Sequence, residues 1–121
     1  MFWFLLSLAG SSMDTEIEAC QVDGEIRPLT LCLAERSFER EDVRLNAQWA
    51  ITFPHVRANE GAKAARSLRL EQRSWIRQRD RECDAVAAPT PTTQQGRNLM
   101  SCMAEMTRRR TAELRRMVGK L

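Results

Sequence analysis

Residues 68–83 contain neither Gly nor Pro and only one β-branched residue, Ile76, so propensity makes the stretch helical. Within it Leu68, Gln72, Trp75, Arg79 and Cys83 follow at spacings of 4, 3, 4 and 4, which sets all five on one helical face. A face turned toward a core is ordinarily apolar. This one alternates large apolar groups with an amide, a guanidinium and a thiol. It therefore leaves two alternatives: a solvated face, or a buried polar network accompanied by a disulfide.

The flanking segments favour the second. Leu31, Phe38, Leu45, Trp49 and Phe53 mark a helix over residues 30–53, with Asp42 interrupting the apolar stripe. Thr30 is a suitable N-cap, and Pro54 disfavours helical geometry in the residue before it, so the helix is expected to stop there. Residues 54–59 read as a short connection, with Asn59 capping a second helix over residues 60–87. The run 88–96, rich in Ala, Pro, Thr and Gln, reads as a loop. A third helix follows over residues 97–117, with Leu99, Met103, Met106, Arg110 and Leu114 on one stripe. Residues 13–29, which include Asp23-Gly24 and Pro28, are expected to be an irregular lead-in carrying Cys20. No strand-like alternation and no internal repeat occurs. The expectation is an all-α fold: a small three-helix antiparallel bundle forming one domain over residues 13–121. With 43% hydrophobic against 29% charged residues the chain is globular rather than disordered. Tyr is absent, so Trp49, Trp75 and Phe38 are expected to supply the aromatic part of the core.

Residues 1–12 are apolar and uncharged, too short for a membrane span of about 20 residues, and fit the apolar part of a signal peptide with Ser7-x-Ala9 as its cleavage site. No basic residue precedes them, as would follow if the natural start lay upstream. Leu8-Ala9-Gly10 resembles the start of a lipoprotein box, but Ser11 stands where the lipidated Cys would be. Four cysteines behind such a segment, Cys20, Cys32, Cys83 and Cys102, read as two disulfides formed in an oxidising compartment. Zinc ligands more often come as close pairs, which this spacing lacks. In an up-down-up bundle Cys32, Cys83 and Cys102 fall at one end, where the lead-in delivers Cys20. Local pairing, Cys20–Cys32 with Cys83–Cys102, is slightly favoured by symmetry about the loops, and Cys32–Cys83 with Cys20–Cys102 satisfies the same proximity.

Little in the chain points to catalysis. His55 is the only histidine, no nucleophile motif accompanies it, and no Gly-rich phosphate loop occurs. No catalytic residue, metal site or cofactor is expected. Charge is uneven: residues 1–60 carry net −5 and residues 61–121 net +8. The arginines at 108–110 and 115–116 could meet phosphates, but they are spread around their helix, and nucleic acid is not an expected partner. An anionic membrane surface or cell-wall polymer is a separate alternative. On the inward stripes Asp42, Asn46, Gln72, Arg79 and Arg110 are expected to form a structural network. In it Asp42 would answer Arg79 or Arg110, while Asn46 and Gln72 bridge helices, since a buried guanidinium requires partners.

Three blocks also carry a resemblance. Cys32-x9-Asp42-x2-Leu45-Asn46-x2-Trp49, then Leu68-x3-Gln72-Arg73-x-Trp75-Ile76-x2-Arg79-Asp80-x2-Cys83, then Cys102-x4-Thr107-x2-Arg110-x3-Leu114, resemble the LprI-type lysozyme-inhibitor domain over about residues 20–115. Trp49 stands where that family usually has Tyr, and residues 54–67 are shorter and richer in Ala than in many members. The resemblance implies a small disulfide-bonded helical domain, exported to the periplasm or secreted from a bacterium. It further implies a non-enzymatic protein that inhibits lysozyme by direct binding. Animal lysozymes are typically cationic, so a chain of net +3 would have to meet them through its acidic first half. The alternatives are an envelope structural or stress-related protein without inhibitory activity, and a basic module for anionic polymer or membrane surfaces.

Overall fold

The computed structural model describes residues 12–22 and 29–119, and these are almost wholly helical: α1 (Ser12–Val22), α2 (Leu29–Glu60), α3 (Ala62–Ala87) and α4 (Thr92–Val118). No strand occurs among the described residues. The all-α class expected from periodicity holds, with four helices among the described residues rather than three. The expected signal peptide over residues 1–12 lies outside the described residues, apart from Ser12, which opens α1.

The additional helix is α1, where an irregular lead-in was expected. It touches α2 and neither of the other helices. Two attachments hold it: a disulfide between Cys20 and Cys32, and an ion pair from Glu16 to Arg40. A helix of 11 residues is marginal alone in water, so these long-range attachments are what make it persist.

Pro54 sits inside α2 instead of ending it. Proline lacks the N–H that would reach the carbonyl of Ala50, and both residues are exposed, so water can serve that carbonyl. Thr52 and Val56 lie on the opposite side of the helix and are buried. The proline therefore falls on the one face where its cost is smallest. Thr30 lies within the helix, and the Asn59 side chain donates to the His55 carbonyl at 2.8 Å rather than capping α3.

The turn between α2 and α3 is one residue long. Gly61 has φ 98°, the only positive φ among the described residues. Its N–H closes the last turn of α2 on Arg57 O at 3.1 Å, and its carbonyl accepts from Ala65 N at 3.1 Å to open α3. Its φ of 98° and ψ of 171° are accessible essentially to glycine alone. The connection to α4 is shorter than expected, residues 88–91. Gln95 Nε2 donates to the carbonyls of Ala88 and Thr90 at 3.0 and 3.1 Å, drawing residues 92–96 into the helix.

Leu31 lies against Gly96 near the starts of α2 and α4, and Thr52 Oγ1 donates to Leu114 O at 3.0 Å near their ends. These two helices are therefore parallel, make the most extensive contact in the molecule, and are crossed antiparallel by α3. A Cβ at Gly96 would stand 3.0 Å from Leu31 Cδ1, so a glycine suits the closeness of α2 and α4 at that level. The apolar core is small: Leu45, Val56, Leu68 and Leu114, with Trp49, Trp75 and Met117 packed against it. The second disulfide, Cys83–Cys102, joins α3 to α4 with Cα atoms 5.5 Å apart.

Gly61→Ala should lower unfolding free energy by about 1–3 kcal/mol in urea titrations, because alanine cannot hold that φ without strain. An unchanged midpoint would show that the turn is not the constraint described. Removing Cys83–Cys102 by paired alanines should cost about 3 kcal/mol on the chain-entropy scale. The same change at Cys20 and Cys32 should instead release α1, seen as lost helical circular dichroism with little movement of the main thermal transition.

Candidate functional site

At the middle of α3 the indole of Trp75 has two guanidinium neighbours. Arg79, one turn further along the same helix, places its Cζ 5.2 Å from the ring centroid, and Arg110 of α4 places its own 5.8 Å away. Phe38 of α2 meets Arg79 at 5.3 Å. Aromatic faces carry negative charge density and so attract these cations. Arg79 and Arg110 are only 8% and 4% exposed, which makes their hydrogen bonding decisive.

Arg79 donates from Nη1 to Thr107 Oγ1 at 3.2 Å and from Nε to Asp80 Oδ1 at 3.1 Å. Arg110 donates from Nε to Gln72 Oε1 at 2.7 Å, and from Nη1 to Glu71 Oε1 at 3.2 Å and Glu113 Oε2 at 2.9 Å. The buried hydroxyls are also engaged: Thr111 Oγ1 donates to Thr107 O at 3.0 Å, and Gln48 Nε2 donates to Thr52 Oγ1 at 3.0 Å. The structure thus brings Gln72, Arg79 and Arg110 together at the α3–α4 contact.

It does not bring Asp42 and Asn46 into that network. Both line a groove of about 340 Å³ between α2 and α3, which Gln72 and Arg79 also border beside Trp49, Arg69 and Arg73, but neither makes a hydrogen bond or ion pair to Gln72 or Arg79 among the described residues. The expected pairing of Asp42 with Arg79 or Arg110 is corrected: the carboxylates used are Asp80, Glu71 and Glu113. Each of these is next to its arginine on one helix or directly across α3–α4, and each keeps a hydrated side. That makes it a cheaper counter-ion than a carboxylate brought inward from α2. Asn46 is exposed and bridges no helices among the described residues. Phe38, Trp49 and Trp75 are half-buried rims of the core rather than its centre, and Trp49 stacks on Phe53 with centroids 5.2 Å apart.

The four cysteines pair as Cys20–Cys32 and Cys83–Cys102, at the end of the bundle opposite Gly61. His55 is half-buried on α2, with Asn59 Nδ2 3.4 Å from its Nδ1. Among the described residues no group of three or more His, Cys, Asp or Glu could hold a metal ion. No described helix is long and apolar enough to cross a membrane.

What the arrangement offers is a fixed scaffold with two differently charged outer faces. α1 carries Asp14, Glu16 and Glu18 and no basic residue, and Asp14 and Glu18 are exposed one turn apart. Over residues 63–77 α3 carries Lys63, Arg66, Arg69, Arg73 and Arg77, all exposed, before Arg81 follows among the acidic residues Asp80, Glu82 and Asp84. The net charge of each chain half does not reveal this second face. The spacing of 3, 3, 4 and 4 between those five cations was the signal that could have found it.

The family described as lysozyme inhibitor LprI matches residues 12–114. An uncharacterized protein of Rhizobium meliloti (strain 1021) is 29% identical over 100 residues, covering 74% of this chain and 71% of its own length. No solved structure matches the chain.

The polar centre is testable by double-mutant cycles in urea unfolding. Gln72→Leu strands a buried guanidinium N–H and should cost about 2 kcal/mol. Combined with Arg110→Met, the total should fall short of the sum by about 1 kcal/mol or more. Asp42→Asn with Arg79→Gln should add within about 0.5 kcal/mol, because these side chains share no bond. Additivity in the first cycle, or coupling in the second, contradicts the network as drawn.

Proposed function

The chain belongs to the LprI family, and from that premise we propose that it is a periplasmic or secreted bacterial protein that binds lysozyme and inhibits it without catalysing a reaction itself. The observation that carries this reading is the extent of the family match, residues 12–114, which takes in all four helices except the last turn of α4 and both disulfides. Two disulfides in so small a domain suit an oxidising compartment. Residues 1–12 would then be the export signal and residues 13–121 the working domain.

The geometry supports α1 as the contact. A protein inhibitor gains affinity from a surface already ordered before binding. α1 is tied to the bundle by Cys20–Cys32 and by Glu16–Arg40, leaving Asp14 and Glu18 facing outward. Glu39, beside Arg40 on α2, is exposed as well. The molecule as a whole is cationic at net +3, so attraction to a cationic lysozyme has to come from a local acidic surface of this kind.

A cell-wall lysis assay with the purified, oxidised protein tests the proposal. Inhibition is expected near equimolar ratios, and Asp14→Lys combined with Glu18→Lys should weaken it about tenfold or more, with a smaller dependence on salt. Absence of inhibition at a large molar excess of the unaltered protein would remove this function.

A further inference from the structure

Five cations follow one another over residues 63–77 of α3 without a carboxylate to answer them, whereas the other described arginines without an ion pair, such as Arg57, Arg81, Arg97, Arg115 and Arg116, are scattered or flanked by acidic residues. Arg40, Arg44, Arg108 and Arg109 each pair with a carboxylate on their own or a neighbouring helix, and the buried Arg79 and Arg110 are also paired. Among the described residues Lys63, Arg66, Arg69, Arg73 and Arg77 form no ion pair. Arg69 leans on the Phe53 ring with Cζ 4.6 Å from its centroid, and Arg77 donates to Ser74 Oγ at 3.3 Å. Glu71, the one carboxylate of α3 within this run, is turned toward α4 and occupied by Arg110. Glu60 precedes the run across the Gly61 turn, Asp42 stands on the α2 side of the groove, and Asp80, Glu82 and Asp84 begin beyond Arg77.

At about 1.5 Å per residue the run extends roughly 21 Å in a straight line. Leu70 lies within it and is 63% exposed, the side chain of an apolar residue left in water among five cations. This face is convex, as the outside of any single helix is, and it carries no aromatic platform: Trp75 faces the arginines toward α4, and Trp49 and Phe53 stack on each other beside the groove. A flexible polyanion is better held by a groove with stacking rings. A row of unanswered cations with one leucine between them matches a flat array of phosphates over an apolar layer.

We infer that the outer face of α3 docks on the surface of an anionic phospholipid bilayer, its guanidiniums and Lys63 answering headgroup phosphates while Leu70 enters the interface. Guanidinium forks bind phosphate oxygens in pairs, which favours Arg in this role. Leu68 of α3 is buried in the bundle, and the exposed Ile76 and Val86 lie more than about 100° around the helix from Leu70, so the attachment is electrostatic and reversible, unlike that of an interfacial amphipathic helix. α1 touches only α2 and takes no part in the contact. The inference does not depend on lysozyme binding.

Sedimentation of the oxidised full chain with vesicles of phosphatidylcholine, with and without about 30% phosphatidylglycerol, provides the test. Binding is expected only to the anionic vesicles, and it should weaken steeply as salt rises. Arg66→Gln, Arg73→Gln and Arg77→Gln together should weaken it roughly a hundredfold, near fivefold per cation, with circular dichroism and thermal midpoint unchanged. Leu70→Ser should weaken it several-fold further. Equal binding to both vesicle types, undiminished binding by the triple variant, or tighter binding to soluble polyphosphate than to vesicles would each overturn the inference.

Discussion

Trp75 has two buried guanidiniums against its indole, one from its own helix and one from α4, and the bonds those two cations require constrain how the three long helices sit together. A buried Arg without partners is far costlier than a buried Leu, so only arrangements that supply the partners remain low in energy. Arg79 needs Thr107 across the α3–α4 contact and Phe38 from α2. Arg110 needs Gln72 from α3. A sliding of α4 along α3 by one turn would break both sets together. The four-residue apolar cluster of Leu45, Val56, Leu68 and Leu114 can favour compactness but has little shape of its own with which to select a register. In this molecule the polar bonds supply that selection.

The sequence conveyed the parts of this that are local and periodic. Three long helices, the inward placement of Gln72, Arg79 and Arg110, and the gathering of cysteines at one end all follow from spacings of 3 and 4 along the chain. Elsewhere a longer-range effect overrides a local rule. Pro54 reads as a stop, but burial of Thr52 and Val56 on the reverse face carries α2 past it. The segment ahead of α2 has turn residues, and yet residues 12–22 are helical because a disulfide and an ion pair hold them to α2. Asp42 was assigned to a buried arginine by position on a stripe. Stripe position does not reveal that nearer carboxylates on α3 and α4 reach the same guanidiniums while staying partly hydrated.

Charge is another property that reads differently in three dimensions. The halves of the chain carry net −5 and +8 and could have neutralised each other within the bundle. Instead, much of the internal pairing uses carboxylates of α3 and α4 on arginines of α3 and α4, and exposed charge of one sign gathers on α1 and along residues 63–77 of α3. α1 retains exposed carboxylates and α3 exposed cations. A modest net charge therefore conceals two surfaces of opposite sign, each fixed in place by the framework behind it. Partners of opposite charge would meet different sides of the molecule and need not compete.

The one-residue turn at Gly61 also bears on how such a chain can vary. Because that residue closes one helix and opens the next, an insertion on either side of it advances everything beyond by about 100° around the helix axis. Leu68, Gln72 and Arg79 would swing away from their partners at once, since nothing in the connection can absorb the rotation. The opposite pole has a four-residue link between α3 and α4 and a helix fastened by one covalent bond. The bundle resembles a tuning fork, with its phase set at the closed end and its lengths free to drift only at the open one.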